Sequence, residues 1–182
     1  MILFFGDTHG KFNHLIQTVI AHQPAAIIIV GDIQAEKPLH EVLESILDKT
    51  DIWWIPGDHD SDNQKYYDNV YGSELADKNL HGRIVNIDGQ RVAGLGGIFR
   101  ESIWHPGQNH SPSIIDSYEE LENKLAGELF YQKISKDKLE GQLLTHRGSL
   151  FFSDWYSLYG QQADILVTHE APSCHQIGRA HV

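Results

Sequence analysis

Aspartate and histidine residues recur in this sequence wherever a short apolar run ends. Carboxylate oxygens and imidazole nitrogens are ligands that manganese, iron and zinc take in proteins, and a histidine can also transfer a proton during catalysis. The residues concerned are Asp7, His9, Asp32, Asp58, His59, Asp60 and His169. Their types predict a metal centre, provided that the fold brings the ends of the runs together.

The first of these run ends shows the pattern most clearly, because the apolar residues 2–5 lead directly through Gly6 into Asp7 and His9. In extended backbone, residues i and i+2 project to the same side, so a carboxylate and an imidazole at this spacing can bind one ion. The alternative is structural, since an aspartate in a turn commonly caps the helix that follows. For one pair the structural alternative is the commoner, whereas four run ends with metal-competent residues favour the metal centre.

The elements that must position these residues alternate along the first third of the chain. Residues 2–5, 25–30 and 52–55 have the length and apolar character of buried strands. Apolar residues recur at helical spacing over residues 11–23 and 39–47. Such alternation predicts right-handed crossovers and a parallel sheet, in which ligands bind outside the carboxyl ends of the strands.

The rest of the chain predicts a hairpin, a helical segment and a last strand. The hairpin pairs residues 83–87 with 90–95, and the last strand covers residues 164–168 and ends at His169. A helical insertion or cap is expected around residues 101–150. The further expectations are mostly helix over 116–140 with a possible break at Gly127, a short strand over 141–144 and a helix over 154–162.

Composition limits the classes of partner. A length of 182 residues predicts a single domain. The formal net charge of −11 argues against a nucleic-acid partner gripped by basic side chains. The single cysteine, Cys174, excludes an internal disulfide and a cysteine-based metal site. No apolar stretch approaches the roughly 20 residues of a membrane-spanning helix. We therefore expect a cytoplasmic protein with no membrane partner.

The order and spacing of the motifs resemble those of the calcineurin-like metallophosphoesterases. That family has Asp-x-His after the first strand, Gly-Asp after the second, Gly-Asn-His-Asp or Gly-Asn-His-Glu after the third, a later His and a final Gly-His-x-His. The chain is similar at residues 6–9, 31–32, 57–60 and 168–172. The resemblance implies an α/β fold, a sandwich of two mixed β-sheets flanked by helices (α/β/β/α).

The resemblance also implies an activity, the hydrolysis of a phosphomonoester or phosphodiester. A hydroxide that bridges two divalent ions, manganese, iron or zinc, would attack the phosphorus atom. The roles implied for the matching residues are Asp7 and His9 as ligands of one ion, Asp32 as the bridge, Asp58 and His169 as ligands of the second ion, and His59 as the proton donor to the leaving group with Asp60 as its possible orienting partner.

Two departures from the family pattern stand out. Asp58 replaces the family asparagine, which adds a negative charge beside the expected ions. No Gly-His-x-His follows His169, and residues 177–182 read IGRAHV, similar to a translated sequencing adapter. We therefore expect the domain to span residues 1–176 with its C-terminal part missing, residues 177–182 to be a non-native tail, and metal occupancy of this chain to be impaired.

Several basic residues are candidates for the substrate side of the site, because guanidinium and imidazole groups suit phosphate. They are Arg100, His105, His146 and Arg147. Two other functions remain open on the same fold. One is a non-catalytic protein-binding scaffold, and the other is a nuclease, which the acidic charge balance disfavours.

Overall fold

The computed structural model describes residues 1–104 and 115–170. In chain order the strands are β1 (Ile2–Gly6), β2 (Ala26–Val30), β3 (Asp51–Ile55), β4 (Arg83–Ile87), β5 (Gln90–Leu95) and β6 (Ile165–Thr168). The helices are α1 (Asn13–His22), α2 (Leu39–Val42), α3 (Gln64–Tyr71), α4 (Tyr118–Phe130), α5 (Lys136–Thr145) and α6 (Phe152–Leu158). Short 3-10 turns lie at Glu44–Ile46, His59–Ser61, Ala76–Lys78 and His146–Gly148.

The first sheet is parallel, with the strand order β1-β2-β3. Its central strand β2 is apolar throughout because both faces of the sheet are covered. Ile27 and Ile29 pack in one core cluster with Leu15 and Val19 of α1, whereas Ile28 belongs to a second cluster on the opposite face. The three carboxyl ends therefore lie at the same edge of a buried sheet.

The second sheet is mixed, because β4 and β5 are antiparallel and β5 and β6 are parallel. The hairpin turn at Asp88 and Gly89 has φ of 49° and 80°, as a two-residue turn between right-twisted strands requires. Ile28 and Ile55 of the first sheet share a core cluster with Val92 and Val167 of the second sheet. The two sheets therefore pack face to face, which buries apolar residues of both.

A third core cluster joins the second sheet to the helices that follow it. Leu95 of β5 packs there with Leu121 and Leu125 of α4 and with Phe151 beside α6. Helices thus cover both sides of the stacked sheets, and the predicted α/β sandwich is confirmed. No helix within the described ranges is long and apolar enough to cross a membrane.

Two local predictions in this helical region were wrong. Residues 141–144 form no strand but lie in α5, where the Thr145 hydroxyl donates to the Gly141 carbonyl. Residues 141–144 read Gly-Gln-Leu-Leu, and two adjacent leucines are too few to distinguish a strand from part of a helix by periodicity. α4 also continues through Gly127 without a break, since one glycine costs a helix only about 1 kcal/mol. The predicted tail at residues 177–182 lies outside the described residues.

Candidate metal centre

The candidate ligands meet where strands of both sheets end. Asp7, Asp32 and Asp58 follow β1, β2 and β3 of the first sheet. His169 follows β6 of the second sheet, and its Nε2 atom lies 3.5 Å from an oxygen of Asp32 and 3.5 Å from an oxygen of Asp58. The stacking of the two sheets therefore brings together residues that are far apart in the sequence.

The ligand atoms form two groups that share one carboxylate. One group contains Asp7, Asp32 and His169, and the other contains Asp32, Asp58 and His59; within each group the ligand atoms lie within 4.8 Å of one another. The Nε2 atom of His9 lies 3.9 Å from the other oxygen of Asp32. Asp32 thus lies between the two groups and belongs to both.

Hydrogen bonds orient the imidazole rings of His9 and His169. The Nδ1 atom of His9 lies 2.7 Å from the Oε1 atom of Gln34, and the Nδ1 atom of His169 lies 3.1 Å from the Val30 carbonyl oxygen. Because these oxygens only accept, both Nδ1 atoms carry a proton, so Nε2 of each ring is the nitrogen that would bind an ion. Gln34 was not predicted from the sequence, although it follows Asp32 by only two residues.

The electrostatics around His169 reflect a cluster of carboxylates. Burial acts to lower the pKa of His169, but the contacts with Asp58 and the Val30 carbonyl and the charges of Asp32 and Asp7 outweigh it and raise the pKa to about 9. The hydrogen bond with His169 holds the pKa of Asp58 below its ordinary value. A divalent ion that binds here therefore replaces a proton on His169.

Two glycines make the close approach of these side chains possible. A Cβ atom on Gly57 would lie 2.1 Å from an oxygen of Asp32, and one on Gly31 would lie 2.2 Å from Nδ1 of His169. Neither position has room for a side chain. The resulting cradle of carboxylate oxygens and imidazole nitrogens, without sulfur, fits divalent manganese, iron or zinc.

The backbone at the centre is strained. Asp7, His9 and Asp32 have φ of 49°, 42° and 48°, in the left-handed region that costs a non-glycine residue roughly 1–3 kcal/mol. Asp7 does not cap α1, because the N-cap residue is Phe12 and no side chain caps that helix. The helix-cap alternative for Asp7 is therefore excluded, and strain gathered at candidate ligands is typical of functional sites.

His59 pairs with a different aspartate from the one that the sequence suggested. Its Nδ1 atom lies 2.8 Å from an oxygen of Asp62. Asp60 is 1% exposed and accepts hydrogen bonds from the backbone N–H groups of Gln34 and Gly57, both at 2.8 Å. The orienting partner of His59 is therefore Asp62, because a 3-10 turn places residues i and i+3 on the same side.

Asp60 connects the loops that follow β2 and β3. Burial raises its pKa, the N–H groups of Gly57 and Gln34 oppose that effect, and the resulting pKa is about 6. A buried carboxylate held by two backbone donors fixes the relative positions of these loops. Asp60 thus supports the centre without contacting the His59 ring.

The structure separates the candidates for the substrate side. Arg100 Nε donates to the Ser149 hydroxyl at 3.0 Å, and Nδ1 of His146 lies 2.9 Å from the same hydroxyl. Arg147 does not join them, because its guanidinium lies 3.7 Å from the centre of the Tyr118 ring. His105, the fourth candidate, lies outside the described residues.

The turn that carries His146 packs against the loop after β3. The Ser61 hydroxyl donates to the Thr145 carbonyl at 3.4 Å. A Cβ atom on Gly148 would lie 2.8 Å from Cα of Asp58. The cluster of Arg100, Ser149 and His146 is thus attached to the backbone that presents Asp58.

Comparison with known proteins agrees with this geometry. A sequence model of the calcineurin-like phosphoesterase family matches residues 1–181. The chain is also similar to an uncharacterized protein of Haemophilus influenzae, with 39% identity over 178 residues, which are 98% of this chain and 74% of that protein. Both similarities extend over nearly all of the chain, so they include every strand end that contributes to the centre.

Proposed function

The chain belongs to the calcineurin-like phosphoesterase family, and we propose that it hydrolyses a phosphomonoester or phosphodiester at a dinuclear metal centre. Family membership makes it a metal-dependent phosphoesterase in general terms. The proposal adds the two ions, their residues and the proton donor. Its main support is the Asp32 carboxylate, which belongs to both groups of ligand atoms.

The residues of the centre would divide between two ions. Asp7, His9 and Asp32 would hold one ion, and Asp32, Asp58 and His169 would hold the other. This division follows the family resemblance, because in the two observed groups His169 lies with Asp7 and Asp32, and His59 lies with Asp32 and Asp58. Bound divalent ions would supply Lewis-acid stabilisation of the developing charge and a water molecule of lowered pKa. We propose manganese first, with iron and zinc as alternatives, because the ligands are carboxylates and imidazoles.

His59 is the proposed proton donor to the leaving group. Its ring is exposed and is not held by a buried partner, so a substrate can reach it. The hydrogen bond that His59 donates to Asp62 raises the pKa of His59; burial acts against this, and the charges of Asp32 and Asp58 add to it. The raised pKa favours the protonated form of His59, the form that a general acid requires.

The remaining proposals concern the substrate and the compartment. Arg100 and His146 are the proposed contacts on the substrate side, since they lie together beside the loop that carries Asp58. We propose a cytoplasmic location, because the single cysteine of the chain, Cys174, cannot form an internal disulfide.

The test combines metal analysis with activity. Purified protein is loaded with Mn²⁺ and assayed with p-nitrophenyl phosphate and bis(p-nitrophenyl) phosphate, and its metal content is measured. Asp32→Asn should lower metal content and reduce turnover by at least about a hundredfold. Asp48→Asn, which removes an exposed carboxylate paired with Lys49 away from the centre, should change neither.

The outcomes separate the possible functions. Protein that binds no divalent metal, or an Asp32→Asn variant with full activity, would overturn the proposal. Metal binding without hydrolysis of either ester would favour the protein-binding scaffold. The observation that supports this alternative is Asp58, which replaces the family asparagine. Preference for the diester or the monoester would identify the substrate class.

A further inference from the structure

Arg100 is a half-buried cation that pairs with no carboxylate in the described part of an acidic protein. The formal net charge is −11, and other arginines form ion pairs, such as Arg91 with Asp164 at 3.0 Å. Within residues 1–104 and 115–170, no carboxylate forms an ion pair with Arg100, whose guanidinium is anchored only through Nε to Ser149. Among the described residues, its two terminal nitrogens have no hydrogen-bond partner and could therefore bind a ligand.

Ser149 determines how the neighbouring His146 is protonated. The Ser149 side chain is buried, with 4% exposure of the residue, and its oxygen accepts the proton of Arg100 Nε. Among the described residues, the sole acceptor within reach of its own hydroxyl proton is Nδ1 of His146 at 2.9 Å. His146 Nδ1 therefore accepts, and in a neutral imidazole the proton then lies on Nε2.

The surroundings of His146 favour this neutral form. Burial lowers the pKa of His146, and the charge of Arg100 lowers it further. The imidazole thus offers Nε2–H as a donor, while Arg100 offers two terminal nitrogens. Arg100 and His146 together present donors and one positive charge, and no free acceptor.

A donor-only, singly positive group of this kind matches the oxygens of a phosphate, which only accept when ionised. Arginine suits such a ligand because its planar fork can donate two parallel hydrogen bonds. The position also fits, because Gly148, the residue before Ser149, packs directly on the backbone of Asp58.

We propose that Arg100, Ser149 and His146 form a phosphate-binding subsite beside the metal centre, with Arg100 and His146 as the contacts and Ser149 as the residue that positions both. This inference rests on the proposed function for its role in catalysis. The bound group is a phosphate in either of two positions, the scissile phosphate itself or a second phosphate on the same substrate.

Binding of inorganic phosphate to the full chain treated with a chelator tests the subsite without the ions. Isothermal titration calorimetry of the wild-type chain should detect binding at millimolar phosphate or below. Arg100→Gln should raise Kd at least about tenfold, equivalent to about 1.4 kcal/mol. Ser149→Ala should raise Kd about threefold, because Arg100 and His146 would keep their donors but lose their anchor.

Two further variants serve as controls for these measurements. Arg91→Gln removes a guanidinium from the opposite end of β5, and Arg147→Gln removes the one that lies on Tyr118. Both should leave the phosphate Kd within about twofold of the wild-type value. Circular dichroism of each variant checks that the fold is retained.

The proposal is overturned if the chelated wild-type chain binds no phosphate at about 10 mM, because a Kd above that concentration would be too weak for a binding site. It is equally overturned if Arg147→Gln weakens binding as much as Arg100→Gln, because the attraction would then be general. If the folded Ser149→Ala variant binds phosphate with the wild-type Kd, Ser149 does not belong to the subsite.

Kinetics of the metal-loaded chain distinguish the two positions of the phosphate. If Arg100→Gln raises KM both for p-nitrophenyl phosphate and for a substrate with two phosphates, the group bound at the subsite is the scissile phosphate. An increase only with the second substrate would identify a second phosphate. The metal-loaded wild-type chain could fail to hydrolyse any substrate while the chelated chain still binds phosphate as expected. In that case the proposed activity fails and the subsite stands.

Discussion

The His59 imidazole and the Asp62 carboxylate form a hydrogen-bonded pair, with 2.8 Å between Nδ1 and Oδ2. Because the carboxylate only accepts, Nδ1 of His59 donates, and the ring turns its Nε2 atom away from Asp62. The pair lies at the exposed rim of the centre, where a substrate can reach the ring. Asp62 thus fixes the orientation of the ring, as the proposed role of His59 as proton donor requires.

Replacement of Asp62 by asparagine should weaken the hydrogen bond between His59 and residue 62. The hydrogen bond that His59 donates to Asp62 is the largest contribution that raises the pKa of His59, so Asp62→Asn should lower that pKa. Turnover of the metal-loaded enzyme should fall about tenfold at neutral pH, and the alkaline limb of its pH profile should move to lower pH. Asp68→Asn, which alters an exposed carboxylate bonded to Gln64 on α3, is the control. A pH profile identical to that of the wild type would contradict the assigned role of Asp62.

Gln34 should control metal affinity through His9. Loss of the 2.7 Å contact between Gln34 Oε1 and Nδ1 in Gln34→Leu would free the His9 ring to change its tautomer and orientation. The Kd for Mn²⁺, measured by calorimetry, should rise roughly tenfold to a hundredfold. Gln34→Glu keeps an accepting oxygen and should bind Mn²⁺ at least as tightly as the wild type. Equal weakening in both variants would show that packing, rather than the hydrogen bond, is responsible.

A methyl group at Gly57 should destroy the centre, because its carbon would lie 2.1 Å from Oδ1 of Asp32 and 2.3 Å from the Asp32 nitrogen. Gly57→Ala should therefore lose measurable Mn²⁺ binding. Gly141→Ala is the matched control, since a Cβ atom there meets nothing within 4 Å in α5. That variant should gain up to about 1 kcal/mol in the free energy of unfolding and bind Mn²⁺ normally. Retained Mn²⁺ binding in Gly57→Ala would show that the loops after β2 and β3 can separate.

The carboxylate of Asp58 should favour cations at the expense of anions. Asp58→Asn keeps a ligand oxygen but removes one negative charge beside His169. Affinity for Mn²⁺ should fall about tenfold, while phosphate should bind the chelated chain severalfold more tightly. The same two titrations on Asp48→Asn, far from the centre, should match the wild type. Unchanged phosphate affinity in Asp58→Asn would mean that the subsite lies beyond the electrostatic reach of Asp58.

Local patterns were sufficient to predict most of the elements. The apolar runs of β1, β2 and β3, the helical stripe of α1 and the Asp-Gly turn between β4 and β5 each depend on residues close in sequence. The prediction of a strand over residues 141–144 was wrong for the same reason, because Leu143 and Leu144 are too few apolar residues to show a period. Leu139 and Leu143, four residues apart, both pack partly buried against the third core cluster, as one face of a helix does.

The sequence by itself determined that Asp7, His9, Asp32, Asp58, His59 and His169 follow the ends of strands. In parallel sheets such ends share one edge, so their meeting could be predicted without knowing any distance. The family resemblance that these residues carry was confirmed, while their individual roles as ligands stay a prediction.

Only the tertiary structure decided which side chains contact one another. It selected Asp62 over Asp60 as the partner of His59, and it joined Arg100 to Ser149 across 49 residues of sequence while it placed Arg147 on Tyr118. Such contacts depend on how separate elements pack and on which direction each side chain then takes, and neither is encoded in a local period or spacing.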